Sequence, residues 1–271
     1  MKSALSRVLA SQPFRSAFWE NVAACILYFA AALLGLHFAG LHGNVSPFWP
    51  AAGVGIGVLL IGGFRLVPGI ALGAFLANAI TSISLPAAAC ITTGNTVAAI
   101  LGVMLFRFTA RQPVLRPFAD PAGWVIAAVF SPVLAAAGGV ATLWLFGEIK
   151  ASMLTHLALT WWAGDGIGIL VTAPAIYGIY EALRERRWPR MGTVIYAVVF
   201  ACIAAGVCWW VFFQPQGGAY LFLLFAVLLL AAIWFDGMSI HLACFGMVMF
   251  CVFAIGMGHS PIPMQEITRA C

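Results

Sequence analysis

Charge is the scarcest thing in this sequence. Only 8% of its 271 residues are Asp, Glu, Lys or Arg, while 63% are hydrophobic. A soluble domain carries about 25% charged and about 45–50% apolar residues. So small a polar complement cannot cover a water-facing surface, and the mean hydropathy of +1.04 agrees. Soluble enzymes, nucleic-acid-binding modules and disordered scaffolds are excluded at once. The seven cysteines (25, 90, 202, 208, 244, 251 and 271) form no CxxC pair and have no nearby His pair, which argues against a zinc site or a disulfide frame. Six of them sit inside or at the edge of apolar runs, where cysteine serves as a small apolar residue. The five histidines (37, 42, 156, 241 and 259) are scattered, only His37 and His42 lying near each other. No metal or other cofactor is expected from them. Ser–His–Asp and Cys–His arrangements, and pairs of intramembrane carboxylates, are also lacking, so this chain is not expected to be an enzyme.

What the sequence has is long apolar runs. They approach 20 residues, the length a helix needs to cross about 30 Å of hydrocarbon. They are continuous, whereas a β-barrel strand would alternate every second residue. The expected fold class is therefore all-α, a polytopic membrane bundle of eight to nine transmembrane helices. The spans are expected at about Asn21–Gly40, Phe48–Ile61, Val67–Ser82, Pro86–Phe108, Gly123–Phe146 and His156–Tyr180, then Thr193–Phe213, Ala219–Phe235 and Ser239–Gly258. The second and third are short and rich in Gly and Pro. The N-terminal stretch has no apolar core followed by a cleavage site, so a retained first span is expected rather than a signal peptide.

The basic residues give the direction. With the N-terminus in the cytoplasm, Lys2, Arg7, Arg15, Arg65, Arg107, Arg111, Arg116, Arg184, Arg186, Arg187 and Arg190 fall on the inner side, leaving Lys150 and Arg269 outside. Lys and Arg concentrate on the cytoplasmic side of membrane proteins, so the formal charge of +5 reflects topology rather than nucleic-acid binding. The loop Glu181–Arg190 reads as a topology anchor at the lipid headgroups, with a docking surface for a cytoplasmic partner as the alternative. The expected organisation is a cytoplasmic tail over 1–17, a membrane domain over 18–258, and a short polar tail over 259–271. Nine spans would leave that tail outside, an awkward end that suggests a further span and an output domain beyond it.

Polar groups inside spans are costly and usually face the bundle interior. Asp165 lies about ten residues into the sixth span, within Thr160-Trp-Trp-Ala-Gly-Asp-Gly-Ile-Gly168. Glycines around it would let a neighbouring backbone approach closely, and Trp161 and Trp162 lie one turn toward the outer face. Asn78 ends the third span and Asn95 lies in the fourth, at a depth near that of Asp165. Trp49, in Pro47-Phe-Trp-Pro-Ala-Ala-Gly53, enters from outside, and the flanking prolines suggest a broken start to its helix. The candidate ligand-binding residues are thus Trp49, Asn78, Asn95, Trp161, Trp162 and Asp165, lining an outward pocket for an unidentified small molecule. The competing reading is that these groups only hydrogen-bond one another and hold the helices together.

Several strings together resemble one family. They are Ser46-Pro-Phe-Trp-Pro-Ala-Ala-Gly53, Gly62-Gly-Phe-Arg-Leu-Val-Pro-Gly69, Leu72-Gly-Ala-Phe-Leu-Ala-Asn78, Gly94-Asn95, and Thr160 through Pro174. In order and spacing they are similar to the bacterial membrane-associated sensor domains of the first type. The resemblance implies a sensory input module of the inner membrane, fused to a histidine kinase or a cyclic-di-GMP enzyme or working with a membrane partner. A kinase-type output would imply a homodimer. It also implies a further span after Ser239–Gly258. The alternative from another class is a transporter or substrate-binding membrane component, although the two halves show no convincing internal repeat.

Overall fold

The computed structural model describes residues 12–39, 46–81, 83–109, 121–184, 191–234 and 237–259. Among the described residues there are nine α-helices and no strand. We label them α1 (Gln12–Ala39), α2 (Pro50–Gly62), α3 (Val67–Ala79), α4 (Leu85–Thr109), α5 (Pro121–Leu145), α6 (Leu154–Arg184), α7 (Met191–Phe213), α8 (Phe222–Trp234) and α9 (Gly237–Gly256). Single 3₁₀ turns at Phe64–Leu66, Ala151–Met153 and Gly217–Tyr220 lead into α3, α6 and α8. The chain is an all-α polytopic membrane bundle. Its helix order matches the expected series of apolar runs one for one.

The helices are not equal. Six of them, α1, α4, α5, α6, α7 and α9, contain stretches long and apolar enough to cross a bilayer. By contrast α2, α3 and α8 have 13 residues each, about 20 Å at 1.5 Å per residue, which is short of the ~30 Å core. The segments expected at Phe48–Ile61, Val67–Ser82 and Ala219–Phe235 are thus present as shorter apolar helices. Proline and glycine cut these segments short. Pro50 starts α2, and Gly63, at φ 76°, ends it. In the other direction, α1 begins at Gln12, within the stretch expected to be a tail. The residues 260–271 of the expected polar tail lie outside the described residues.

Close contacts fix the relative directions of the inner helices. Gly69 of α3 lies against the backbone of Asn21 and Gly73 against Cys25 and Tyr28, so α3 runs parallel to α1. Gly53 of α2 lies against Gly168 and Thr172, and Gly57 against Ile176, so α2 runs parallel to α6. Gly123 meets Phe106 while Gly94 faces Ala135, which makes α4 and α5 antiparallel. These directions are the ones that the alternating placement of Lys and Arg requires.

The main core gathers around α2. Ala51, Ile56 and Leu59 are fully buried, together with Ala32, Ile70, Val103, Ala127 and Ala173 from five surrounding helices. A second body, α7–α9, packs around Cys208, Val211, Ala231 and Ala254 and joins the first where α9 lies along α6. Side chains facing outward are as apolar as those inside: Ile26, Phe130, Val198 and Phe225 are all exposed. That is the surface lipid tails require. Exposed Trp19, Trp144, Trp209 and Trp210 stand toward helix ends, where indole rings favour the interface.

At the inner end, Asn21 clasps α1 to the turn between α2 and α3. Its Nδ2 donates to the Arg65 carbonyl at 3.1 Å, and its Oδ1 accepts from the Gly69 N–H at 2.8 Å. Beside it the Arg65 guanidinium pairs with Glu20 at 2.8 Å. This clasp satisfies backbone groups that the break between two helices would otherwise leave unpaired.

Candidate functional site

The site is built around a strand-like segment that crosses α6. Residues 46–49 are not helical. Ser46 holds the entry, its hydroxyl donating to the Phe48 carbonyl at 2.8 Å. The Trp49 N–H then donates to the Gly164 carbonyl of α6 at 3.0 Å. Pro50 has no N–H to satisfy and sits at the start of α2, where its fixed φ suits a first helical turn. The break inferred from the two prolines is thus present.

Glycine makes this crossing feasible. A Cβ at Gly164 would collide with the Ser46 carbonyl oxygen, and one at Gly168 with the Trp49 carbonyl oxygen. These positions are four apart and so share one face of the helix. Gly166, between them, faces the other way, toward the Ala128 carbonyl of α5. Within α5, Pro132 has no N–H, so that same Ala128 carbonyl lacks its helical donor. Backbone therefore approaches α6 from two sides, immediately flanking Asp165.

Asp165 is 3% exposed, and its Oδ1 has no hydrogen-bond partner. The Trp161 indole lies near its carboxylate, one turn earlier in α6, and lines the same cavity. Asp165, Asn95, Asn78, Trp49 and Trp161 all line one cavity of about 30 Å³, closed further by Ser46, Ile83 and Leu143. A smaller cavity of about 10 Å³ adjoins it and shares Trp49, Asn95 and Asp165, with Tyr28, Ser131 and Pro132 as further walls. Five helices, α1, α3, α4, α5 and α6, and the crossing segment supply most of these side chains. Five of the six residues singled out from sequence are therefore brought together.

Their polar atoms are poorly satisfied. Asn95 Oδ1, Ser131 Oγ and Trp49 Nε1 are buried without a hydrogen-bond partner, as is Asp165 Oδ1. The Trp49 indole does lie within reach of the Tyr28 hydroxyl, but not in good alignment. Asn78 Nδ2 instead donates back to the Ala74 carbonyl of its own helix at 2.9 Å, so it does not tie helices together through that group. Each buried polar atom left unpaired costs about 1–3 kcal/mol. Elsewhere in the bundle, buried hydroxyls such as Thr96 and Thr142 are satisfied by the carbonyl one turn back. Thr92 Oγ1, Thr172 Oγ1 and Glu20 Oε2 are likewise buried without a partner, but the seam brings four such atoms to two adjoining cavities.

Trp162 is placed differently from the expectation. Its indole Nε1 donates to the Val129 carbonyl of α5 at 2.8 Å, and it does not line either cavity. Both positions lie one turn from Asp165, but only Trp161 lines the cavity, while Trp162 turns to α5. Sequence reasoning missed Ser131, which is 0% exposed. The signal available was its position beside a proline inside an apolar run. A larger cavity of about 360 Å³ lies between α7 and α9, walled by Ala204, Cys208, Gly246 and Phe250 among others. It holds no charged residue and lies apart from the polar seam.

A polytopic helical bundle with an apolar outer surface and a buried polar seam defines an integral membrane domain. The sequence agrees: the MASE1 family model matches residues 21–269. The chain belongs to this family of membrane-associated sensory input domains. No curated protein and no solved structure gives a match to it. It is a multi-pass membrane domain in contact with the lipid bilayer, and the family is a sensory rather than a catalytic one.

Proposed function

We propose that the chain is the input module of a bacterial signalling protein of the inner membrane, and that Asp165 and its neighbours form its sensing site. The output, a histidine kinase or a cyclic-di-GMP enzyme in cis or a separate membrane partner, receives the change in helix packing. The observation that carries this reading is the convergence of Trp49, Asn78, Asn95, Trp161 and Asp165 on one cavity with unpaired polar atoms. Structural polar groups in a bundle are normally satisfied. A seam left unsatisfied is ready to take a ligand's hydrogen bonds.

A ligand shifts an equilibrium only by binding one packing better than another. The movable element here is the crossing segment, held by one backbone hydrogen bond from Trp49 to Gly164. It opens directly into α2, whose Gly53 and Gly57 lie on α6. From Asp165, α6 runs on to Arg184, about 30 Å nearer the cytoplasm at 1.5 Å per residue. A shift of the segment against α6 thus has a continuous helix along which to reach the inner face.

The test is a reporter of output in the full-length protein, with Asp165→Asn and Asn95→Ala compared at equal membrane levels. The expected outcome is a change of about fivefold or more in basal or stimulated output, the lower range of ordinary coupling energies. Wild-type output from both variants would refute the site. Substrate accumulation in proteoliposomes would instead favour the transporter reading, to which a cavity of about 30 Å³ gives no support.

A further inference from the structure

The geometry points to a monovalent cation, of the sodium type, as the species held beside Asp165. This rests on the reading of the seam as the sensing site and gives its ligand a chemical class. Three residues that line one small cavity each carry a buried oxygen without a partner: Asp165 Oδ1 from α6, Asn95 Oδ1 from α4 and Ser131 Oγ from α5. All three residues are nine-tenths or more buried. Oxygen donors of this kind, a carboxylate, an amide carbonyl and a hydroxyl, are what hard cations take. Neutral organic ligands want several hundred cubic ångströms, which this space does not offer.

Size narrows the choice. The cavity lined by these three residues measures about 10 Å³, at the lower edge of the ~10–15 Å³ that one water requires. A small ion stripped of its shell fits there. The adjoining space of about 30 Å³ has room for a water or two that would complete its coordination. Charge narrows it again. The ion pair of Arg65 with Glu20 lies far from this seam at the inner end, and among the described residues no group of three His, Cys, Asp or Glu gathers. A single carboxylate balances a single positive charge. A divalent ion would leave net charge stranded in a low-dielectric interior, where uncompensated charge is heavily penalised.

The wall on the remaining side is suited to reporting occupancy. The Trp49 indole, a donor that a cation repels, lines the same cavity and belongs to the segment crossing α6. Seating a cation would push that N–H away from Asp165 and toward the Tyr28 hydroxyl, which already lies within its reach. The ion and the movable segment are thus in direct contact.

The experiment uses the full chain in detergent micelles at fixed pH and ionic strength. Sodium, potassium and lithium chloride each replace N-methylglucamine chloride, with the thermal unfolding midpoint and the tryptophan emission as readouts. The expected result is a saturable rise in the midpoint with one of the three ions, absent in Asp165→Asn. In Ser131→Ala the half-saturating concentration should rise by at least about tenfold, while Asn21→Ala, remote from the cavity, keeps the wild-type ion response. The absence of any saturable ion effect overturns the inference, as does an effect that survives Asp165→Asn. A midpoint that follows pH through Asp165 but is indifferent to all three ions at fixed pH also overturns it, since a proton then takes the cation's place. If Asp165→Asn does not insert, Ser131→Ala decides. The reporter separates the two readings: ion binding with an indifferent reporter keeps the site and removes its sensory role, and the reverse pattern removes the cation alone.

Discussion

A single methyl group at Gly168 tests the crossing of the 46–49 segment over α6. The built Cβ of Gly168→Ala lies 2.7 Å from the Trp49 carbonyl carbon and 3.4 Å from Pro50 N, and it overlaps the Trp49 carbonyl oxygen. Carbon–carbon contacts settle near 3.5–4.0 Å, so the segment must retreat by about 1 Å. These are backbone atoms at the start of a helix, with no rotamer to give way. Retreat lengthens the Trp49 N–H to Gly164 bond, now 3.0 Å, beyond the usual ~2.7–3.2 Å range. That loss is worth about 0.5–1.5 kcal/mol, and overpacking adds about 1–3 kcal/mol. The sum, about 1.5–4.5 kcal/mol, should lower the unfolding midpoint of the detergent-solubilised chain by roughly 3–18 °C, at about 2–4 °C per kcal/mol. Gly206→Ala is the control, because nothing lies within 4 Å of its built Cβ, and it should be neutral or slightly stabilising. A Gly168→Ala protein as stable as Gly206→Ala would refute the crossing as described.

Four further outcomes follow from other parts of the bundle. Asn21→Ala removes the bonds to the Arg65 carbonyl and the Gly69 N–H and should cost about 1–3 kcal/mol. Arg65→Ala should cost about 1 kcal/mol or less, because the pair with Glu20 is substantially exposed; both are checked by thermal unfolding. Trp162→Phe loses the bond to the Val129 carbonyl and about 0.5–1.5 kcal/mol, yet should leave reporter output unchanged, whereas Trp161→Phe should alter it. Single cysteines introduced at Lys150 and at Arg184 into an otherwise cysteine-free chain should react with an impermeant maleimide from the outside and the inside of the membrane respectively.

The series of helices was readable because crossing a bilayer imposes a length, and length is a property of one segment at a time. Leu85–Thr109 and Pro121–Leu145 lie within two residues of the ranges expected from their apolar runs. The short helices were harder for a related reason. A segment such as Pro50–Gly62 is buried by its neighbours and does not have to span, so hydrophobicity sets no minimum length for it. What ended it was Gly63 at positive φ, a local conformation that composition alone does not place. The clasp at Asn21 was likewise hidden, since an asparagine at the edge of an apolar run looks like the beginning of a span and nothing more.

The site was partly readable, and the boundary has a physical cause. Depth along a helix can be counted, so Asp165, Asn95 and Asn78 could be put at one level before any coordinates. Rotation about the helix axis could not. In water, the contrast between an apolar and a polar face gives a helix its phase. In lipid the outward face is as apolar as the inward one, and α6 shows no face that its residues alone would reveal. Trp161 and Trp162 therefore stood as equals, although only Trp161 lines the cavity and Trp162 turns to α5. The glycines supplied the missing phase once the structure was known: Gly164 and Gly168 face the crossing segment and Gly166 faces α5, which leaves Asp165 between two approaching backbones. That same closeness kept Ser131 out of view, because a lone hydroxyl in an apolar helix usually bonds back to its own backbone. Here that hydroxyl is left unpaired, next to the proline that frees the Ala128 carbonyl. The unpaired groups cost stability, a ligand that enters would recover part of that cost, and this is the physical ground for proposing the sensing site at the seam rather than in the roomier apolar groove between α7 and α9.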